Sequence, residues 1–217
     1  MTDGPTTPTP PGGSTSLINR IKNILITPKT EWAVIDAEPA TVGGILTSYV
    51  LIVAAIGPLA GLIGGQLIGV SMFGVTYHPP IAMGITSAVI AYALAIVGVY
   101  IAAFIIDALA SSFGAVKNSV QSFKVAAYAA TAGMVAGIVQ IVPMLGMLAI
   151  IGAIYGWYLL YLGLGTVMKS PSDKSVVYTI VVVVVQIVLY FVFAMVVAAI
   201  VASMFGAAMM ASGAAMR

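Results

Sequence analysis

Five apolar runs, at about residues 41–70, 81–112, 119–142, 144–168 and 176–205, make up most of this chain and leave it few ways to fold. Each reaches the roughly 20 residues that a helix rising 1.5 Å per residue needs to cross the ~30 Å hydrocarbon layer of a bilayer. Lipid offers no hydrogen bonds, so a crossing segment must pair its backbone internally. Runs of this kind therefore predict an all-α membrane protein, a bundle of five transmembrane helices. Composition excludes the soluble alternative: of 217 residues, 61% are hydrophobic and only 6% charged, where a water-soluble domain carries roughly a quarter.

The same inventory excludes several functions. A net charge of +2, spread along the chain, does not predict nucleic acid as a partner. With no cysteine there is no disulfide, thiolate metal site or cysteine nucleophile. The single histidine, His78, lies in the connection after the first run without carboxylates beside it, and is a poor metal ligand. No Gly-x-Ser-x-Gly elbow, His-Glu-x-x-His or phosphate-cradling Gly-rich Lys-Ser/Thr loop occurs. The expectation is a protein without cofactor or metal, and not an enzyme.

Residues 1–15, rich in Pro, Thr and Gly, are expected to form a disordered tail. They lack the basic start and apolar core of a cleaved signal peptide, so the first run is expected to act as its own insertion signal. Residues 16–38 read as an amphipathic segment. Leu17, Ile18, Ile21, Ile24 and Leu25 share one helical face, with Asn19, Arg20, Lys22 and Asn23 opposite and Ile26 misplaced. This predicts an interfacial helix in the headgroup plane, Arg20 and Lys22 facing the headgroups. Pro28 should end it, Thr30 should cap a short second helix carrying Glu31, Trp32, Ile35 and Asp36, and Glu38-Pro39 should stop that one. Trp32 suits the headgroup level. Residues 41–205 form the transmembrane domain, and 206–217 an Ala/Gly/Met tail expected to fray.

Within the runs the distinctive residues are small or polar. Gly57, Gly61, Gly65 and Gly69 at four-residue spacing predict a groove for close helix packing, a step repeated at Gly133 and Gly137 and at Gly152 and Gly156. Pro58 predicts a kink beside that groove. Asp107, near the end of the second run, faces the negative end of a helix and should have a basic partner: Lys117, Lys124, Arg20 or Lys22. A structural ion pair and a polar relay both fit it. The turn at 142–146 should lie shallow at the interface. Tyr155, Tyr158 and Tyr161 are expected to look into the bundle, where Gln186 can accept from a hydroxyl.

If the runs alternate in direction, Arg20, Lys22, Lys29, Lys117, Lys124, Lys169 and Lys174 fall on one side and only Arg217 on the other. The positive-inside bias then places the amino terminus in the cytoplasm and the carboxyl terminus outside.

Five segments carry a family likeness: T-P-K-T-E-W-A-V-I-D-A-E-P at 27–39, D-A-L-A-S-S-F-G at 107–114, F-K-V-A-A-Y at 123–128, V-P-M-L-G at 142–146 and Y-L-L-Y-L-G-L at 158–164. In this order they resemble the bacterial branch of the Yip (Ypt/Rab-interacting protein) family, over about residues 16–205. Ala132 and Met134 stand where that pattern favours a proline and an aromatic. The resemblance implies a five-span protein of the bacterial cytoplasmic (inner) membrane, with a cytoplasmic amino-terminal region, an outward carboxyl terminus and no catalytic residues. Eukaryotic relatives act in vesicle traffic and membrane organisation through Rab-type GTPases and one another. Two functions follow for comparison. One is a non-enzymatic scaffold or adaptor whose partners are the lipid bilayer and itself or other membrane proteins. The other is a small transporter or channel with a polar path near Asp107, Gln140 and Gln186.

Overall fold

The computed structural model describes residues 16–72 and 75–214; the tail expected at 1–15, and Arg217, lie outside the described residues. Five helices are long and apolar enough to cross a membrane: span 1 (Val42–Leu67), span 2 (Ile81–Leu109), span 3 (Ser119–Ile141), span 4 (Pro143–Thr166) and span 5 (Ser172–Ile200). The protein is an all-α membrane helix bundle. Two short helices precede it, α1 (Leu17–Ile26) and α2 (Pro28–Ala37). Spans 1 and 2 are joined by an antiparallel ribbon of β1 (Val70–Met72) and β2 (Val75–Tyr77), with Val70 opposite Tyr77.

Local chemistry explains the boundaries. Ser16 caps α1, its Oγ accepting the Asn19 N–H at 3.4 Å. Pro28 is the first residue of α2, where its missing N–H costs nothing. The residue before it, Thr27, is therefore the cap position of α2, and not Thr30 as expected. Span 1 is irregular, with a π-helical turn at Leu46–Val50 and a break at Ala54–Ala55 before α-helix resumes at Ile56. Pro58 cannot donate to the Ala54 carbonyl, so the kink falls one turn ahead of the proline. Span 5 belongs to one continuous helix, Ser172–Ala214, which runs through the tail expected to start at 206.

Span 3 is the hub, with 61% of its apolar window buried inside the protein against 6% for span 5. Glycine contacts show how the hub is gripped. Gly57 lies against Gly137, where a Cβ on Gly137 would come within 2.8 Å of the Gly57 Cα. Gly61 faces the Gln140 side chain, and a Cβ on Gly64 would meet the Ile141 carbonyl oxygen at 2.5 Å. On the far side a Cβ on Gly152 would meet the Ala132 carbonyl oxygen at 2.8 Å, and one on Gly156 the Ala129 oxygen at 3.1 Å. Two glycines depart from the expected packing, Gly69 of the row in span 1 and Gly133 of the pair in span 3, and Gly65 is buried but loosely packed. Gly69 has φ +83 and lies past the end of span 1, donating to the Gly64 carbonyl as a left-handed helix terminator. Gly65 has only the Pro79 ring at 3.9 Å, and Gly133 has open space within 4 Å.

Tyrosine hydroxyls bind across the spans: buried Tyr49 with Thr131 at 2.7 Å, half-buried Tyr92 to the Leu51 carbonyl at 2.9 Å, and buried Tyr178 to the Ile106 carbonyl. The tyrosine face of span 4 turns elsewhere than expected. Tyr155 donates to the Leu25 carbonyl of α1 at 2.8 Å, while Tyr158 and Tyr161 are exposed. Gln186 accepts from none of them.

In a helix interior, alanine is favoured over glycine by about 1 kcal/mol. Gly64→Ala should nevertheless destabilise the protein by about 1–3 kcal/mol, because carbonyls of the hub must move. Gly133→Ala should lie within about 0.5 kcal/mol of the parent or above it. Thermal unfolding in detergent distinguishes the two.

Candidate functional site

The densest polar chemistry among the described residues lies where α1 and α2 dock on one end of the bundle. Arg20 projects from α1 toward α2, donating through Nη1 to Glu31 at 2.5 Å and through Nη2 to both carboxylate oxygens of Glu38. Arg20 and Glu31 are each only 5% exposed. Arg20 is therefore not the headgroup-facing residue that periodicity suggested: α2 folds back and covers it. Burial opposes its charge, but the hydrogen bond and charge of Glu38, with Glu31, outweigh burial and hold the guanidinium above its ordinary range. It also lies 5.6 Å from the centre of the Tyr128 ring, within cation–π reach.

Lys124 fastens the other end of α2. Its buried Nζ donates to the carbonyls of Ile35 and Glu38 at 2.7 Å each. These groups belong to the last turn of α2 and the residues after it, where orphan carbonyls and the negative end of the dipole favour a cation. Asp36 adds an exposed tie, pairing with Lys169 and accepting from Gln121 Nε2 at 3.3 Å.

Between the two clamps, Trp32 is fully buried inside the protein. A Cβ on Gly163 would come within 2.9 Å of its ring, so span 4 admits the indole only because that position is glycine. Trp32 meets Tyr128 edge-on at 6.4 Å, and Tyr128 meets Tyr49 at 4.7 Å. Ile24 and Ile35 complete the seal. What α1 and α2 present outward is mixed: Ile18 and Ile26, 74% and 67% exposed, beside Lys22 and Lys29.

Among the described residues, Asp107 is not paired with any lysine or arginine. The nearest group bonded to it is the Ser122 Oγ, donating at 3.4 Å. Its expected partners are engaged elsewhere or out in the open: Arg20 with Glu31 and Glu38, Lys124 with the α2 carbonyls, Lys22 and Lys117 exposed. Gln140 and Gln186 line a common cavity that Asp107 does not border. A single polar path through all three residues is therefore absent among the described residues. Nor do these residues include a cluster of three His, Asp or Glu able to hold a metal ion. Sequence reasoning missed Gly163, Tyr128, Glu31 and Glu38 as parts of one site. Only Lys124 between Phe123 and Tyr128, a charge inside an apolar run, hinted at it.

A five-span helical bundle with an amino-terminal helical pair clamped to one end by buried charges defines a class of multi-pass membrane protein. The Yip1 domain family model matches residues 22–195, and the chain belongs to that family. It is similar to the inner membrane protein YohC of Escherichia coli strain K12, 26% identical over 156 residues that cover 70% of this chain and 80% of that protein. The YohC protein of E. coli O6:H1 strain CFT073 matches to the same extent. No solved structure matches.

Removing one member of a buried pair leaves an uncompensated charge, a loss of about 3–5 kcal/mol, while replacing both by apolar residues is often neutral. Arg20→Met should accordingly loosen α1–α2 and speed proteolysis within residues 16–38. Arg20→Met with Glu31→Leu should recover much of the protection. Equal protease sensitivity of parent and single variant would remove Arg20 as the clamp.

Proposed function

We propose that this protein is a non-enzymatic scaffold or adaptor of the bacterial inner membrane, acting by association with lipid and with itself or other membrane proteins. The observation that carries this reading is the docked helical pair. The charges available for chemistry at that end face one another, and what remains outward is the apolar and basic surface of Ile18, Lys22, Ile26 and Lys29. Such a surface suits the headgroup region or a partner lying in it. The name of the E. coli relatives supports the inner membrane. A carrier coupled to ions usually holds paired charges inside its spans, and Asp107 faces only a serine.

The amino-terminal pair lies on the cytoplasmic side in this reading and the carboxyl terminus outside, because seven of the eight lysines and arginines fall at one end when the spans alternate. Lys22 and Lys29 then contribute at most about 1 kcal/mol each on anionic lipid. Since the chain has no cysteine, His78→Cys and Ser172→Cys should label from opposite faces of intact and permeabilised cells. Labelling from the same face contradicts the topology. In liposomes the purified protein should pass no ion or small solute. Gradient-driven flux that disappears in Asp107→Asn or Gln186→Leu would instead establish a transporter.

A further inference from the structure

Among the described residues, two neighbouring cavities border the centre of the bundle. The larger, about 890 Å³, is bordered by all five spans, and the smaller, about 370 Å³, extends toward the β ribbon; they share Pro58, Ser87, Ala91 and Gln140. The larger falls in the ~300–1,000 Å³ range of small-molecule sites. Its wall is mostly alanine, glycine and larger apolar side chains, with no Asp, Glu, Lys, Arg or His among its described residues. The cavity lies at the hub. Gly133, on its wall, has nothing within 4 Å of where a Cβ would sit, so glycine at this position leaves open space instead of a helix contact.

Two carboxamides border this space, Gln140 beside the 142–146 turn and Gln186 midway along span 5. Neither bonds to any described protein group. Gln140 is exposed at the end of span 3 and Gln186 is half-buried midway along span 5; an amide facing hydrocarbon gains by finding a partner, and each offers two donors and an acceptor. The wall otherwise calls for hydrocarbon, and the absence of ionisable neighbours excludes a charged head, which would enter unpaired.

We propose that the cavity is a binding site for one neutral, single-chain amphiphile taken from the surrounding bilayer. Its polar head hydrogen-bonds to Gln140 and Gln186 and its acyl chain lies along the open wall at Gly133. Two amides, one at the end of span 3 and one midway along span 5, match a head with two separate bonding groups, a hydroxyl and an ester carbonyl, the chemistry of a monoacylglycerol. The site is independent of the scaffold reading, since it uses none of the α1–α2 residues.

Trp157 borders the cavity, whereas Trp32 is sealed under α2, so a brominated acyl chain in the site reports through Trp157 fluorescence. The full-length chain in phosphatidylcholine nanodiscs is titrated with a monoacylglycerol brominated on its chain. Saturable quenching is expected, absent in Trp157→Phe. Loss of one buried hydrogen bond or of the open space should weaken it about tenfold. Gly133→Leu, which fills the wall, and Gln140→Leu with Gln186→Leu, which removes the head contacts, should both do so. Circular dichroism checks each variant's helix content, and the two act by different routes, so either one that folds decides the matter. Brominated phosphatidylcholine and brominated fatty acid carboxylate should quench only in proportion to their mole fraction. Quenching by the monoacylglycerol that rises linearly, survives in Trp157→Phe, or is unchanged in the folded variants would overturn the site. Equal saturation by the two-chain lipid or the carboxylate would overturn its assigned chemistry.

Discussion

Inside a bilayer, helices gain nothing by hiding apolar surface from one another, because the lipid is as apolar as they are; they hold together by close backbone contact and by hydrogen bonds. The contact that the bundle depends on most is Gly57 against Gly137, extended by Gly64 against the Ile141 carbonyl. It draws span 1 onto span 3 closely enough for the Tyr49 hydroxyl to reach Thr131. Span 4 closes the opposite side through Gly152 and Gly156. Span 3 is thus held between two glycine-lined neighbours, and the remaining spans are arranged around that sandwich.

At one end, the outcome is a polar joint. Arg20, Glu31, Glu38 and Lys124 would each be costly to bury alone, and together they satisfy one another and the end of α2. A buried ion pair adds little net stability compared with apolar packing, but it allows few alternative arrangements. The joint thereby sets how α1 and α2 sit, with Trp32 inserted over Gly163 as the apolar plug. Three of the five segments that carry the family likeness meet at it: 27–39, 123–128 and 158–164 supply the clamp and the plug, while 107–114 supplies Phe113, stacked on Tyr178, and Gly114, facing Pro171.

Elsewhere the bundle is loosely filled. Span 5 buries little beyond Ser175, Tyr178, Thr179 and Val182, and the cavity opens where Gly133, Gln140 and Gln186 leave room. A tight end and an open middle in one bundle suggest different tasks for the two regions, fastening for one and accommodation for the other.

Span number, approximate boundaries and membrane class were determined by the sequence alone, because length and apolarity act locally: a run of this kind has no other solvent in which to fold. The glycine spacing marked span 1 as a packing surface for the same reason, and Gly57 and Gly61 lie on it. What periodicity could not show was anything requiring a second element. Arg20 was assigned to a headgroup-facing side because its own helix has one, and only the return of α2 brings Glu31 and Glu38 over it. Lys124 looked like a partner for Asp107 until the α2 carbonyls appeared in its reach. Gly69 shares the spacing of its row, yet the chain leaves the helix there with φ +83. Gly163 acquires its meaning only when Trp32 rests on it. Burial, pairing and empty space are properties of several segments at once, so the tertiary structure alone decided the clamp, the plug and the cavity.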